Sequence, residues 1–165
     1  MNMQLDTTAR LQLAVEAVQQ AGKHTLQYFQ QGVDVERKSD DSPVTIADKE
    51  AEQLIRQRIS DAFPEDAILG EEFGEQAGKS GYRWILDPID GTKSFITGVP
   101  LYGTMIGVEV EGRAEIGCLY FPGLKECIYA RRGEGAWYFR DSNSPTRAEV
   151  SPANALSEGA FLTRQ

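Results

Sequence analysis

Two short acidic segments, residues 70–72 and 87–92, each follow an apolar run of strand length. Open α/β sheets place their ligand sites at the ends of strands. Two adjacent strand ends would therefore bring Glu71, Asp87 and Asp90 close together. Three such carboxylates repel one another unless they are protonated or shared by a cation. Because hard oxygen ligands select Mg²⁺, Mn²⁺ or Ca²⁺, this spacing indicates a divalent metal site.

The second segment, Asp-Pro-Ile-Asp-Gly-Thr, offers more than its two carboxylates. Pro88 stiffens the turn, and the carbonyl oxygen of Ile89 is a neutral candidate ligand. Gly91 allows close approach of the backbone. A short helix beginning near Thr92 would present free amide groups to an anion. Metal ions beside amide donors are typical of sites for phosphoryl transfer.

Composition restricts the partners of such a site. The chain has 165 residues and a net charge of −8, which argues against binding to nucleic acid or to an anionic membrane. Bound metal ions would reverse the local sign, so a small phosphorylated metabolite remains a suitable substrate. We find no membrane span and no secretory signal, and only Cys118 and Cys127 carry thiols. These features predict a cytoplasmic protein.

Helical periodicity dominates the first part of the chain. Apolar residues recur at three- and four-residue steps over residues 6–31, which predicts a long amphipathic helix that stops at Gly32. Residues 33–43 are polar and predict a connecting loop.

A second helix is predicted over residues 45–62. Thr45 is a candidate N-cap, and Asp48 stands where a capping box has its acidic residue. Glu52 and Arg56 form a favourable i,i+4 pair on this helix.

After residue 64 the apolar pattern changes towards the alternation of strands. Two helices followed by an antiparallel meander predict an α+β or layered α/β arrangement. The predicted strands are 82–86, 102–110, 114–121, 126–131 and 135–139, with a loop at 141–146 and the start of another strand at 160–163.

The sequence resembles the inositol monophosphatase family of Mg²⁺-dependent, lithium-sensitive phosphatases. The resemblance implies the layered α/β/α/β sugar-phosphatase fold, of which this chain would cover the N-terminal helices and the large antiparallel sheet. Residues 91–98, with Pro100 and residues 102–104, look most like the histidinol-phosphate phosphatase branch. The matching segments are 43–45 with Asp48, 70–72, 84–95, 98–100 and the strands up to residue 136.

The resemblance also implies a metal centre with two or three Mg²⁺ ions, or Mn²⁺ in their place. Glu71, Asp87 and the carbonyl oxygen of Ile89 would hold the first ion. Asp87 would bridge to a second ion that Asp90 also binds. Attack on phosphorus would be in line, without a phosphoenzyme.

The same resemblance implies the remaining site roles. Thr92, oriented by Asp48, would act with Glu71 to position and deprotonate the attacking water. The amides of Gly91 and Thr92 would hold phosphate oxygens. Lys38 is a candidate basic residue beside the metals. Glu72, at a strand end, is expected to point away from the site.

The family's second half, with a Trp-Asp-x-Ala-type motif, has no counterpart in residues 1–165. We therefore expect one N-terminal phosphatase domain without the C-terminal half, and the resemblance favours a homodimer. The favoured reaction is hydrolysis of histidinol phosphate, in histidine biosynthesis. Alternatives are an inositol monophosphatase, a 3′(2′),5′-bisphosphate nucleotidase, or a non-catalytic half-domain that binds metal and phosphate.

Overall fold

Two long helices lie against one face of a mixed β-sheet in the computed structural model. It describes residues 3–159, with side chains described for 7–155 and 157–159. The helices are α1 (Met3–Thr25), α2 (Ile46–Ala62) and α3 (Thr92–Ile96), and a 3-10 turn covers Leu156–Glu158. The strands are β1 (Val35–Arg37), β2 (Pro43–Thr45), β3 (Ala67–Gly70), β4 (Gly74–Gln76), β5 (Tyr82–Asp90), β6 (Gly103–Val110), β7 (Arg113–Phe121), β8 (Glu126–Arg131), β9 (Gly135–Arg140) and β10 (Thr146–Ala148).

The large sheet has the strand order β10-β9-β8-β7-β6-β5-β3-β4. Strands β5 to β9 form the predicted antiparallel meander, and β10, which was not predicted as a strand, extends it, so the α+β class is confirmed. Among the described strands of this sheet, one neighbouring pair is parallel, because β3 runs parallel to β5. That parallel pair positions the acidic segments.

The main core lies between the two long helices and alternate residues of the sheet. Alanines on α1 allow the close approach of this helix, and Trp84 and Ile106 on the sheet are almost fully buried. Burial of apolar surface at about 25 cal/mol per Å² is the main favourable term for such a layer. No helix within residues 3–159 is long and apolar enough to cross a membrane.

Helix α1 ends at Thr25, six residues before the predicted end at 31. The hydroxyl of Thr25 donates to the carbonyl of Gly22 at 2.7 Å and lies 3.0 Å from the hydroxyl of Tyr102. The chain then turns, which brings the ring of Phe29 to 5.7 Å from that of Phe95. The packing of Phe29 against Phe95 stabilises the turn more than a further turn of helix would. The predicted helix end at residue 31 was therefore wrong.

The predicted loop over 33–43 contains a short hairpin. Strands β1 and β2 pair antiparallel, and the amide of Lys38 donates to the carbonyl of Ser42 at 2.9 Å across the turn. Gly32 has a φ of +68° but stands before this hairpin, well beyond the end of α1. The polar composition concealed β1, because all three of its residues are exposed and show no apolar alternation.

The start of α2 agrees with the prediction. The hydroxyl of Thr45 accepts the amide of Ala47 at 3.2 Å, and Oδ2 of Asp48 accepts the amide of Thr45 at 2.8 Å. The side chain of Thr45 also accepts the backbone amide of Asp48, so both halves of the capping box are present.

Other boundaries shift slightly. Strand β5 continues four residues past the predicted end, and β6 begins one residue later than predicted. Strand β10 begins at the last residue of the loop predicted over 141–146. The strand predicted at 160–163 lies outside the described residues.

A buried ion pair joins α1 to the large sheet. Two guanidinium nitrogens of Arg10 lie 2.8 Å from the two carboxylate oxygens of Asp66, and both side chains are almost fully buried. The indole nitrogen of Trp84 donates to the same carboxylate at 2.8 Å. The guanidinium lies between the rings of Phe63 and Tyr82, 4.1 and 3.7 Å from their centres. This arrangement fixes the chain just before β3.

Candidate metal and phosphate site

The parallel pairing of β3 and β5 brings the two acidic segments together. Gly70 is opposite Leu86 in the register, and the amide of Glu71 donates to the carbonyl of Leu86 at 3.2 Å. Glu71 is thus one step from Asp87 on the neighbouring strand. The predicted side-by-side arrangement of two strand ends is confirmed.

A β-bulge in β5 sets the direction of the second aspartate. Two residues, Pro88 and Ile89, stand opposite the single residue Thr104 on β6, whose hydroxyl donates to the carbonyl of Pro88 at 2.8 Å. In a regular strand, Asp87 and Asp90 would point to opposite faces because they are three residues apart. The extra residue of the bulge brings both to one face.

Asp87 has the electrostatic character of a cation ligand. Within residues 3–159, its Oδ1 is buried and has no hydrogen-bond partner. Burial raises the pKa of this carboxyl to about 7, and the negative charges of Glu71 and Asp90 contribute to the rise. A buried carboxylate oxygen without a partner is costly. A divalent cation would relieve both the burial and the repulsion, so the donors fit such an ion.

Lys38 and Glu72 belong to the same cluster. The ammonium nitrogen of Lys38 lies 2.8 Å from an oxygen of Glu71 and 2.8 Å from an oxygen of Glu72. Burial lowers the pKa of Lys38, but its hydrogen bonds to the two carboxylates outweigh this and raise the pKa above its usual value. Burial also raises the pKa of Glu72, against the effect of Lys38.

The prediction that Glu72 points away was therefore wrong. Its side chain is only 4% exposed and faces Lys38. The alternation that motivated the prediction holds in extended strands, whereas residues 71–73 form a turn.

The acidic side chains in the described part of the chain do not form a complete set of metal ligands. No group of three or more His, Cys, Asp or Glu side chains within the described part of the chain is arranged to hold a metal ion. Lys38 supplies the positive charge next to Glu71 instead. The ligand roles of Glu71, Asp87, Ile89 and Asp90 accordingly stay predictions.

Thr92 and Asp48 come together as the resemblance implied. The hydroxyl oxygen of Thr92 lies 3.2 Å from the carbonyl oxygen of Ile89 and 3.5 Å from Oδ1 of Asp48. Asp48 is almost fully buried, and burial raises its pKa although hydrogen bonds from Thr45 act to lower it. Asp48 thus caps α2 with one oxygen and faces Thr92 with the other.

Gly91 precedes the short helix α3, which begins at Thr92 as predicted. The φ of Gly91 is +94°, in the left-handed region, where a side chain would introduce strain. The contact of the backbone amides of Gly91 and Thr92 with phosphate stays a prediction.

A buried carboxylate, Glu52, also touches this cluster and was not predicted as a site residue. The sequence identified its i,i+4 partner Arg56 correctly, and their side chains are joined at 2.7 Å. The sequence carried no periodic signal of its burial, because Glu52 is not a member of the predicted apolar stripe of α2 and its carboxylate contacts residues 72 and 73.

A cavity in the described part of the chain lies elsewhere. It has a volume of about 590 Å³ and is lined at the far end of β6 by charged residues that include Arg113, Arg131 and Arg132. Its lining contains none of the predicted site residues. Arg131 and Arg132 are already paired with Glu134 and Glu115. We therefore place the candidate chemistry at the acidic cluster.

The metal-free protein should lose stability as the pH rises. The pKa of Asp87 is 3.8 in its ordinary state and about 7 in the folded chain. Between these values the folded state holds more protons than the unfolded state, so the free energy of unfolding falls with pH and the loss is complete above pH 7. Because Asp87 is partly exposed, we expect a loss of about 1–2 kcal/mol.

Urea unfolding in EDTA at pH 4.5 and pH 8 measures this loss. Asp87→Asn lacks the titrating carboxyl, so its stability relative to the original chain should improve at the higher pH. An equal difference at both pH values would contradict the raised pKa of Asp87.

Comparison with known proteins agrees with the geometry. A sequence model described as the inositol monophosphatase family matches residues 6–165. The chain is 49% identical over 159 residues to the histidinol-phosphatase of Chlorobaculum parvum, and covers 96% of itself and 60% of that protein. It therefore spans about three-fifths of the length of this relative.

Solved structures show the same fold. The extragenic suppressor protein SuhB from Bartonella henselae matches with a TM-score of 0.81 and 33% identity, over 90% of this chain and 56% of that one. The IMPase of Thermotoga maritima matches with a TM-score of 0.77 and 30% identity, over 87% and 54%. The matched sequence and the shared fold show that this chain belongs to the inositol monophosphatase family.

Proposed function

We propose that the protein hydrolyses a small phosphate monoester in a Mg²⁺-dependent reaction, and that the monoester is histidinol phosphate. The observation that carries the reaction is the register of β3 and β5, which brings Glu71 beside Asp87. The substrate is supported by the 49% identity to a histidinol-phosphatase. Inositol monophosphate and a 3′(2′),5′-bisphosphate nucleotide are the alternative substrates.

Four oxygen donors would hold the metal. They are the carboxylates of Glu71, Asp87 and Asp90 and the carbonyl of Ile89. Bound Mg²⁺ supplies a positive charge that neutralises the phosphate and lowers the pKa of water. Lys38 balances the charge of Glu71 and Glu72 at the edge of this set.

Thr92 would position the nucleophile. Its hydroxyl faces the carbonyl of Ile89 at 3.2 Å and Oδ1 of Asp48 at 3.5 Å, which leaves its lone pairs to accept a hydrogen from a water molecule. Asp48 is suited to receive the proton through this hydroxyl, because burial raises its pKa. Glu71 would act with Thr92 on the same water, as the resemblance implies.

Thr92→Val should lower kcat by roughly 10²- to 10⁴-fold, because the hydroxyl that positions and relays a proton is lost. The Mg²⁺ concentration for half-maximal activity should change little, since no carboxylate is removed. Steady-state phosphate release against Mg²⁺ concentration measures both. Thr97→Val, at the exposed end of α3, is the matched control. Thr92→Val activity equal to that of this control would exclude the proposed role.

The substrate is tested by phosphate release from the three candidate monoesters, each with Mg²⁺ and with excess EDTA. We expect the highest kcat/KM with histidinol phosphate and no release in EDTA. A higher kcat/KM for either alternative would reassign the substrate, and release unaffected by EDTA would reject the metal mechanism.

A second candidate function is a non-catalytic half-domain that binds metal and phosphate. It is favoured by the coverage of the relatives, since the chain matches only 60% of the histidinol-phosphatase. The same assay on this chain and on a chain lengthened to match the relative separates the two. Release by the longer chain alone would support the half-domain.

We also propose a homodimer and a cytoplasmic location. The dimer is supported by exposed apolar residues after α3, where Val99 is 42% and Leu101 61% exposed. The location is supported by Cys118 and Cys127, which are buried and free. Light scattering of the purified protein tests the dimer.

A further inference from the structure

A buried carboxylate on α2 binds the backbone of the loop that follows Glu71. Glu52 is 0% exposed. Its Oε2 accepts the amide of Glu72 at 2.7 Å, and its Oε1 accepts the amide of Phe73 at 3.2 Å. Each carboxylate oxygen therefore holds one of two successive peptide groups.

Arg56 completes the contact one helical turn later. Its Nε donates to Oε1 of Glu52 at 2.7 Å, and a terminal nitrogen donates to the carbonyl of Gly74. The pair thus binds two amides and one carbonyl in residues 72–74. We call Glu52 and Arg56 the loop clamp.

The residue before Glu71 is also fitted to the clamp. A Cβ atom built on Gly70 would lie 1.9 Å from Oε1 of Glu52, far inside any permitted contact. Gly70 therefore leaves the space in which the carboxylate lies. The backbone is held on both sides of Glu71, by close packing at Gly70 and by hydrogen bonds from residue 72 onwards.

A buried pair of this kind is an expensive way to gain stability, because both charges lose their hydration. Here the charges are satisfied by backbone groups of one loop, and that loop carries Glu71 and Glu72. Neither Glu52 nor Arg56 has a part in the metal or proton steps described above. Their contacts make the orientation of the loop their most direct effect.

We propose that Glu52, held by Arg56, is a positioning residue that fixes the direction of Glu71 towards the metal site. The role in metal binding rests on the proposed function, whereas the hold on the loop does not. The orientation of outer residues commonly changes metal affinity by roughly 10- to 100-fold. Glu52→Gln places an amide nitrogen against a backbone N–H, so one of the two loop contacts must break.

The test compares Glu52→Gln with Asp66→Asn by two measurements. Asp66 is the matched control, since it is also buried and paired with an arginine but lies before β3, at the opposite end from Glu71. Hydrogen exchange of the amides of residues 72 and 73 reports the loop. Binding of Mn²⁺ alone, followed by electron paramagnetic resonance, reports the site. Both are measured where circular dichroism shows each variant folded.

We expect Glu52→Gln to exchange at least one of these two amides roughly 10-fold faster or more and to bind Mn²⁺ roughly 10- to 100-fold more weakly, with neither effect in Asp66→Asn. If Glu52→Gln does not fold, Arg56→Lys, which keeps the charge but loses the forked contact, takes its place. Unchanged exchange in the clamp variant, or Mn²⁺ affinity equal to that of the control, would overturn the proposal. If the unmodified chain binds no Mn²⁺, the metal site is rejected instead. The exchange result alone then decides whether the loop clamp holds residues 72 and 73.

Discussion

Asp87→Asn should reduce Mg²⁺-dependent phosphate release by a factor on the order of 10³ or more, equivalent to about 4 kcal/mol of transition-state stabilisation. The negative charges of Glu71 and Asp90 both act on Asp87. Asparagine keeps the shape of the aspartate side chain but removes the charge that a bridging cation needs. Within residues 3–159 the buried Oδ1 has no protein partner to lose. The fold should therefore survive the change while metal binding fails.

The assay uses whichever form of the protein, this chain or a longer one, releases phosphate with Mg²⁺. Asp61→Asn is the matched control, because Asp61 is an exposed aspartate on α2 outside the proposed site. Turnover by Asp87→Asn within 10-fold of this control would overturn the metal assignment.

Asp66→Ala should lower the free energy of unfolding by about 3–5 kcal/mol. The change leaves the buried guanidinium of Arg10 without its counter-charge and removes the acceptor of the Trp84 indole at 2.8 Å. The hydroxyl of Ser80 loses its acceptor in the same carboxylate. This loss is a large part of the roughly 5–15 kcal/mol that stabilises a typical domain.

Urea unfolding followed by circular dichroism measures the difference, and Asp61→Ala on the surface of α2 provides the control. A loss below about 1 kcal/mol would mean that solvent reaches Arg10 and replaces the carboxylate.

The parts of the site that were predicted from sequence depend on local chemistry. Thr45 and Asp48 are three residues apart, and this spacing is sufficient to predict a capping box. The Asp-Pro-Ile-Asp-Gly-Thr segment carries its donors within six residues, so their types could be interpreted without a structure. The adjacency of Glu71 and Asp87 followed from two apolar runs of strand length.

The parts that could not be predicted depend on contacts between distant segments. The end of α1 is set by Thr25 against Tyr102, and the burial of Glu52 is set by the loop at residues 72–74. Lys38 was named as a candidate only through the resemblance, because it reaches Glu71 from a hairpin without apolar alternation. Such contacts leave no periodic trace in the sequence, because each depends on a partner far along the chain.

The bulge in β5 makes the site depend on the number of residues as well as on their types. Because Pro88 and Ile89 stand opposite a single residue of β6, the side chains of Asp87 and Asp90 lie on the same face of the strand. A substitution at Pro88 or Ile89 changes the packing but leaves both aspartates on that face. A chain one residue shorter at this point would retain every carboxylate and still turn one of the two aspartates to the opposite side of the sheet. This segment should therefore tolerate substitutions better than insertions or deletions.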